Sequence, residues 1–471
     1  MQNNGRRTTF WHGLCSLILM VGIMFAGIVV MGADPQVPLI FGCLVAAVMA
    51  MVIGFRWNDI LDGMLKGIGD SLEAILILML IGMLVGTWIA SGTMPTLICY
   101  GLHILSPKIF LPVTVLLCML VAFAIGSWGT IGTIGLAFMG IGTAFGLSPA
   151  VVAGAVVSGA YAGEVISPLS DATNLSSAVT GDNIFVICHH SMRRMIPTMV
   201  IVLLLFTVHG LRSDAAGSGS TEAVRQLMDA VDALFVISPW ALLPIAAMAA
   251  CLFFRMPAIP SMLLGSIGGM LTAVILQHAS LHKLLAICYR GFVSHTGDKI
   301  VDDLLSAGGI QSMFYTISII IIAMAFGGIM SRTGQMDAFV RPVVGRCRGE
   351  GSLAVLTTVT AALVNFVIPD QYLGISMPGE MYKTTYQKRH VRPYRLACSI
   401  LGSGAVTSPM IPWNTCGLYC TTILGVSTMQ YASHAYLCML LPLVTIVIGC
   451  LDARGKKTDD EGNSRKVNRA G

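Results

Sequence analysis

Charged side chains are scarce in this sequence, and two long stretches have none. Asp, Glu, Lys and Arg make up 11% of the 471 residues, whereas a soluble domain carries roughly 25%. None of the four occurs in 109–163 or in 396–451. Hydrophobic residues make up 55% of the chain, and its mean hydropathy is +0.80. This composition excludes a soluble globular protein and indicates a protein embedded in a lipid bilayer.

The sequence also lacks the motifs of catalysis and cofactor binding. Its thirteen cysteines show no metal-ligand spacing, and no HExxH motif or catalytic triad stands out. The glycine-rich segment 126–133 follows no strand and precedes no phosphate-binding lysine, which excludes a nucleotide site. A net charge of +5 requires no nucleic-acid partner. We therefore expect neither an enzyme nor a cofactor.

Apolar runs near or above the length that crosses a bilayer, about 20 residues, recur along the chain. Six are bounded by polar residues: 13–31, 37–55, 74–90, 233–254, 256–277 and 304–331. Each of the two charge-free stretches is long enough for two or more crossings or a re-entrant hairpin. We predict an all-α polytopic membrane protein with about 11–12 membrane elements. A cleaved signal peptide at the first run is disfavoured, because no Ala-x-Ala site follows it.

The chain resembles itself at a shift of 242 residues. This shift places Gly309 on Gly67, together with several other glycines, as expected for two structural repeats. Positive charge changes sides between the halves, since the loop 91–108 carries one lysine and its counterpart 332–350 carries four arginines. By the positive-inside rule, one half is inverted relative to the other. Chance matching in a glycine-rich apolar chain is the alternative.

These patterns divide the chain into six segments. In order they are an N-terminal hairpin, a first repeat half, a polar linker, an intervening hairpin, a second repeat half and a charged disordered tail, with bounds 1–55, 56–212, 213–232, 233–298, 299–451 and 452–471. Basic residues at both ends of the chain place both ends in the cytoplasm.

Each half carries a Ser-Pro pair close behind a glycine, at Ser167-Pro168 and at Ser408-Pro409. In a lipid-spanning helix such a pair frees backbone carbonyls that hydrocarbon cannot satisfy, so the break survives only where it lines a cavity or a bound solute. Paired breaks in two halves are the best sequence sign of a transporter's binding site. We therefore predict unwound helices and a binding site at these segments.

Three carboxylates lie in or beside the apolar segments. Glu164 and Asp171 flank the first Ser-Pro pair, and Asp370 falls on Trp128 at the repeat shift. An ionisable side chain at membrane depth is costly and functional by default. We predict that all three take part in binding a monovalent cation such as Na+ and in exchanging protons. For Asp171 and Asp370 the alternative is an exposed helix cap.

Hydroxyl and amide side chains around the breaks are candidate ligands, because hard cations prefer oxygen. They are Ser127, Thr130, Thr133, Ser167, Ser170, Thr173, Asn174, Gln371, Thr407, Ser408, Asn414 and Thr415. For 126–133, close helix packing by small residues explains the composition equally well. The spacing of Gly142 with Gly146, and of Gly265 with Gly269, also predicts helix packing.

Burial raises the pKa of a carboxyl group, and a bound cation lowers it again. Na+ and H+ would then compete for one site, and exchange is obligatory if only a loaded site can change sides. Other titratable residues are weaker candidates. His189 and His190 are interpreted as a solvated membrane edge rather than a pH sensor. Asp70 and Glu73 are interpreted as favouring a helix N-terminal dipole.

At these residues the chain resembles the NhaC-type sodium/proton antiporter family. The motifs, within 56–429, are Gly126-Ser127-Trp128-Gly129-Thr130, Ser167-Pro168-Leu169-Ser170-Asp171 with Asn174, Asp370-Gln371-Tyr372-Leu373, and Thr407-Ser408-Pro409-Met410-Ile411-Pro412-Trp413-Asn414-Thr415. The resemblance implies exchange of Na+ for H+ across a bacterial inner membrane, although some similar members exchange malate with lactate. Val165 and Glu380 stand where the family usually has Lys and often has Arg. Losing these two cations weakens the organic-acid interpretation.

The leading hypothesis is therefore Na+/H+ antiport, with Na+, H+ and the lipid bilayer as partners. Coupled exchange of a small organic anion or an amino acid is the alternative. A membrane scaffold or membrane enzyme leaves the repeated helix breaks unexplained. The sequence is also compatible with a homodimer.

Overall fold

The computed structural model describes residues 8–212, 228–229, 231–254, 256–295, 302, 305–335, 338, 349–368 and 370–467. Most of the predicted linker, 213–232, lies outside the described residues. Within them the chain is helical and forms no strand, which confirms the all-α prediction.

The first part of the chain contains a helical hairpin followed by two interrupted helices. In chain order the helices are α1 (Phe10–Met24), α2 (Gln36–Ile53), α3 (Trp57–Asp70), α4 (Leu72–Ala90), α5 (Thr93–Ile104), α6 (Pro107–Thr130), α7 (Leu136–Ala144), α8 (Pro149–Ile166), α9 (Asp171–Thr180) and α10 (Ile184–Arg212). Stretches of π-helix extend α1 through Phe25–Val30 and join α6 to α7 through Ile131–Gly135.

The second part of the chain contains the intervening helices and then a second set of interrupted helices. In order they are α11 (Leu243–Phe253), α12 (Ala258–Gln277), α13 (Leu281–Arg290), α14 (Ile310–Arg332), α15 (Glu350–Val367), α16 (Gln371–Lys388), α17 (Pro393–Ile400), α18 (Thr415–Leu424), α19 (Thr428–Tyr431) and α20 (Tyr436–Val467). Stretches of 3-10 helix occur at Pro239–Leu242, Ser408–Met410 and Ala432–His434, and Leu401–Ala405 continues α17 as π-helix. The backbone of α20 continues as a helix through 452–467, a segment that the sequence predicts to be disordered. The division into six segments stays a prediction.

Ten helical segments of the described residues are long and apolar enough to cross a membrane. Two further apolar helices, Pro239–Met248 and Thr415–Leu424, are too short to cross. The polytopic membrane fold is therefore confirmed, while the re-entrant hairpins stay a prediction.

The order of elements is similar in the two halves. In each half a helix is interrupted, and its continuation is followed by a residue with left-handed backbone conformation. A proline then starts the next helix. A second break follows, and after it comes a ten-residue helix that ends at a left-handed glycine. The corresponding residues are Gly146, Pro149 and Gly181 in the first half and His390, Pro393 and Gly425 in the second. This order agrees with two repeats, and their inverted orientation stays a prediction.

Glycines bring α8 and α6 into backbone contact. A Cβ atom on Gly159 would overlap the carbonyl oxygen of Val115, and one on Gly163 would overlap that of Met119. Small residues one helical turn apart allow this approach. The sequence also predicts helix packing at Gly142 with Gly146 and at Gly265 with Gly269. Of these four, Gly146 has a φ of 71° and lies in open space rather than in a packed helix.

The N-terminal hairpin packs on α14 through a buried amide. Ser16 Oγ donates to Gln335 Oε1 at 2.6 Å, and Gln335 Nε2 donates to the Ala46 carbonyl at 3.3 Å. At the opposite end of α14, Gly309 N donates to the Gly82 carbonyl at 2.6 Å and joins the start of α14 to α4. These contacts hold the first helices of the chain against the second half.

We expect Gly163→Ala to destabilise the protein, because the added methyl group forces α8 away from the α6 backbone. Overpacking of this kind costs about 1–3 kcal/mol, measurable as a lower thermal unfolding midpoint in detergent. Gly22→Ala is the matched control, since nothing lies within 4 Å of its Cβ position. Equal midpoints for the two variants would show that α6 and α8 separate freely.

Candidate functional site

The two breaks of the first half lie against each other. Gly126 has φ 76° and ψ 170° and interrupts α6, a conformation that glycine adopts without a steric penalty. Ser167, in the break between α8 and α9, donates from Oγ to the Phe123 carbonyl at 2.5 Å. One break therefore satisfies a carbonyl that the other has freed.

The second half repeats this arrangement with different side chains. Asn414, which caps α18, donates from Nδ2 to the Asn365 carbonyl at 3.2 Å. Trp413 Nε1 donates to the Phe366 carbonyl at 2.8 Å, and the two rings meet edge to face with centroids 4.7 Å apart. The carbonyls at the end of α15 are thus paired with the break that precedes α18.

Glu164 lies in the last turn of α8, where its side chain contacts the second half. The residue is 6% exposed, and its Oε1 accepts a hydrogen bond from Gln371 Nε2 at 3.2 Å. Its Oε2 has no hydrogen-bond partner among the described residues. The Ser127 hydroxyl lies close enough to interact with this carboxylate, although no hydrogen bond of good geometry joins them.

The other two predicted acids lie at helix N-termini. Asp370 is buried and caps α16, since its Oδ1 accepts from Leu373 N at 2.8 Å. Asp171 is the first residue of α9 and is exposed. Tyr372, on the first turn of α16, lies within electrostatic range of Asp370, Asp171 and Glu164. The three acids therefore surround one region, and the cap geometry proposed as an alternative for Asp370 is present at a buried position.

The charged groups that act on these acids are themselves acidic. Glu164 is influenced by Asp171, Asp171 by Glu73, and Asp370 by Asp70. Asp70 and Glu73 are exposed where α3 meets α4, so they face the site in addition to any effect on their own helix. The ion pairs found in the described residues involve none of the five. The region attracts cations.

Most of the predicted ligand side chains are engaged with backbone or with one another. The hydroxyl or amide groups that donate to backbone carbonyls belong to Thr130, Thr133, Ser167, Thr173, Asn174, Thr407, Ser408 and Asn414. Thr415 donates to Asn414 Oδ1 at 3.5 Å. Only Ser127 and Ser170 among the predicted hydroxyls are buried without a hydrogen-bond partner in the described part of the chain. With Glu164 Oε2, they are the polar atoms most available to an ion.

Sequence reasoning missed two residues of α18. Cys416 Sγ donates to Gln371 Oε1 at 3.1 Å, and Tyr419 donates its hydroxyl to the Trp128 carbonyl at 2.5 Å. The Tyr419 and Trp128 rings are stacked with centroids 4.6 Å apart. The sequence feature that could have identified them is their spacing of three residues on one helix face, directly after the Asn414 cap.

The short helix α9 is attached to α16 at its far end. Lys383 Nζ donates to the Val179 carbonyl at 2.8 Å, and a Cβ atom on Gly379 would overlap the Val179 side chain. A cation at a helix C-terminus interacts favourably with the last carbonyls. The helix that begins with Asp171 is therefore docked on the second half.

These features define an all-helical membrane protein with interrupted helices and an acidic region around the buried side chains of Glu164 and Asp370. A sequence model of the Na+/H+ antiporter family matches residues 6–188 and 160–452, and the chain belongs to this family. It is a multi-pass protein of the bacterial inner membrane.

Several curated relatives align along nearly the whole chain. One is the Na(+)/H(+) antiporter NhaC of Alkalihalophilus pseudofirmus, 34% identical over 98% of this chain and 99% of the relative. A malate-2H(+)/Na(+)-lactate antiporter of Bacillus subtilis is 32% identical over 93% and 94%. The arginine/ornithine antiporter ArcD of Halobacterium salinarum is 32% identical over 94% and 92%. All three relatives are antiporters.

We expect Ser167→Ala to lower the free energy of unfolding, because the Phe123 carbonyl loses its partner in an apolar interior. An unsatisfied buried acceptor costs about 1–3 kcal/mol, which thermal unfolding in detergent would detect. Thr143→Ala is the control, since that exposed hydroxyl bonds only within its own helix. A midpoint unchanged from wild type would show that the contact between the two breaks contributes nothing to stability.

Proposed function

We propose that the protein is a secondary active transporter that exchanges Na+ for H+ across the bacterial cytoplasmic membrane. The observation that supports this most directly is Glu164. Its buried carboxylate reaches the contact between the halves with one oxygen unpaired among the described residues. Membership of the Na+/H+ antiporter family agrees with this function. In this proposal the protein is a carrier, not an enzyme.

Competition for Glu164 gives the exchange its coupling. A buried carboxylate without a partner is costly, and either a proton or a Na+ ion removes most of that cost. The two cannot neutralise the same oxygens at once. An unloaded site would carry its charge through a low-dielectric barrier, so only loaded forms change sides. A Na+ ion released on one side of the membrane is therefore replaced at the site by a proton from that same side, and the return of the loaded site carries the proton in the opposite direction.

The proposed ion site combines residues of both halves. Glu164 Oε2 and the Ser127 hydroxyl supply side-chain oxygens, and the hydroxyls engaged with backbone keep lone pairs that can face an ion. We propose Asp171 and Asp370 as further proton-exchanging acids, each placed at a helix N-terminus that favours its charged form. The two halves then move relative to each other to expose this site alternately.

Exchange of a small organic anion or an amino acid is the second candidate, because two similar relatives carry malate and lactate or arginine and ornithine in their names. A carboxylate substrate needs a cationic partner. The charged groups that act on the site acids are carboxylates. Val165 and Glu380 occupy two positions where the family usually has Lys and often has Arg. The site is therefore better suited to a cation.

Neutralising the site acids should remove exchange. In everted vesicles with a preset pH gradient, we expect Glu164→Gln, Asp171→Asn and Asp370→Asn to reduce Na+-induced dissipation to roughly a tenth of wild type or less, because each variant loses a group that alternates between Na+ and H+. Asp62→Asn, an exposed acid on α3, is the control and should retain wild-type activity. Wild-type rates in all three site variants would refute this assignment.

Substrate class can be decided by counterflow. In proteoliposomes we expect radiolabelled Na+ to exchange against external Na+ or H+, since the acidic site attracts cations. Radiolabelled malate, lactate and arginine should not accumulate, because each carries a carboxylate group for which the site offers no cationic partner in the described residues. Protein-free liposomes are the background. Accumulation of any organic substrate above that background would favour the second candidate.

A further inference from the structure

A chain of buried hydrogen bonds joins Cys416 to Glu164. Cys416 Sγ donates to Gln371 Oε1 at 3.1 Å, and Gln371 Nε2 donates to Glu164 Oε1 at 3.2 Å and to the Ala405 carbonyl at 3.4 Å. Gln371 is 3% exposed and Cys416 is fully buried. The thiol therefore contacts the side chain that, in the described part of the chain, carries the hydrogen bond between Glu164 and the second half.

The thiol strengthens the preference for this direction of the bonds. An amide group has a donor end and an acceptor end, and the two differ only by a rotation of the side chain. In the rotated form Gln371 Oε1 would face two acceptors, the Glu164 carboxylate and the Ala405 carbonyl. A thiol that donates to Oε1 disfavours this form, because it holds the acceptor end on the opposite side.

The thiol is itself held in place. Cys416 lies in the first turn of α18, and its backbone N donates to Asn414 Oδ1 at 3.1 Å. Asn414 also bonds the Asn365 carbonyl at the end of α15. The position of the thiol is therefore fixed by the same cap that closes the break of the second half.

We propose that Cys416 is a positioning residue for Na+/H+ exchange, whose thiol orients the Gln371 amide so that its N–H group bonds the deprotonated Glu164 carboxylate. The inference rests on the proposed function. Because the deprotonated carboxylate is the form that binds Na+, loss of the thiol weakens Na+ binding and leaves the transport step itself largely unchanged.

The test measures the Na+ concentration for half-maximal dissipation and the maximal rate in everted vesicles. We expect Cys416→Ala to raise the half-maximal concentration about three- to tenfold, the effect of one lost hydrogen bond, with little change in maximal rate. Cys416→Ser keeps a donor and should stay within about twofold of wild type. Cys420→Ala, a buried cysteine one turn later on α18, is the matched control and should behave as wild type.

A double-mutant cycle separates positioning from packing. If Cys416 acts through the amide, Cys416→Ala should have no further effect on the half-maximal concentration in a Gln371→Met background. Size-exclusion profiles and thermal midpoints check that each variant folds. Three results would each overturn the inference alone. The first is an unchanged half-maximal concentration in Cys416→Ala, and the second is a full effect of Cys416→Ala in the Gln371→Met background. The third is a half-maximal concentration in Cys416→Ser that is raised as much as in Cys416→Ala. If Na+ does not dissipate the pH gradient in wild-type vesicles, that result overturns the proposed function and this inference with it.

Discussion

The structure depends on how backbone carbonyls are satisfied where helices are interrupted in an apolar interior. A free carbonyl there has no water to bond and costs several kcal/mol. The protein meets this constraint by placing the two breaks of each half against each other, so that Ser167 bonds the Phe123 carbonyl and Asn414 bonds the Asn365 carbonyl. The side chains that close the breaks also fix the helix ends around Glu164. The same hydrogen bonds therefore satisfy the free carbonyls and shape the site.

The same helix ends explain how several acids can gather although none of them forms an ion pair with arginine or lysine in the described residues. The N-termini of α9 and α16 carry partial positive charge, and Asp171 and Asp370 lie on them. Backbone dipoles therefore offset part of the charge without neutralising it. A paired lysine would occupy the carboxylate permanently, whereas a dipole leaves it able to accept either a proton or a metal ion.

The sequence predicts features that local chemistry dictates and misses those that distant contacts create. Proline and glycine mark the breaks because they act on their own backbone, and Glu164 is conspicuous after a long charge-free stretch. The hydrogen bond from Gln371 to Glu164 spans 207 positions and that from Cys416 to Gln371 spans 45, and no local pattern encodes either. Composition also cannot separate hydroxyls that close a break, such as Thr130, from Ser127, which stays unpaired in the described residues.

The attachment of α9 has a mechanical consequence. By its place in the chain this helix belongs to the first half, yet Lys383 and Gly379 of α16 hold its C-terminal end. A motion that separated the two halves at their boundary in the sequence would have to break this contact. This contact therefore adds to the energetic cost of any motion that separates the two halves.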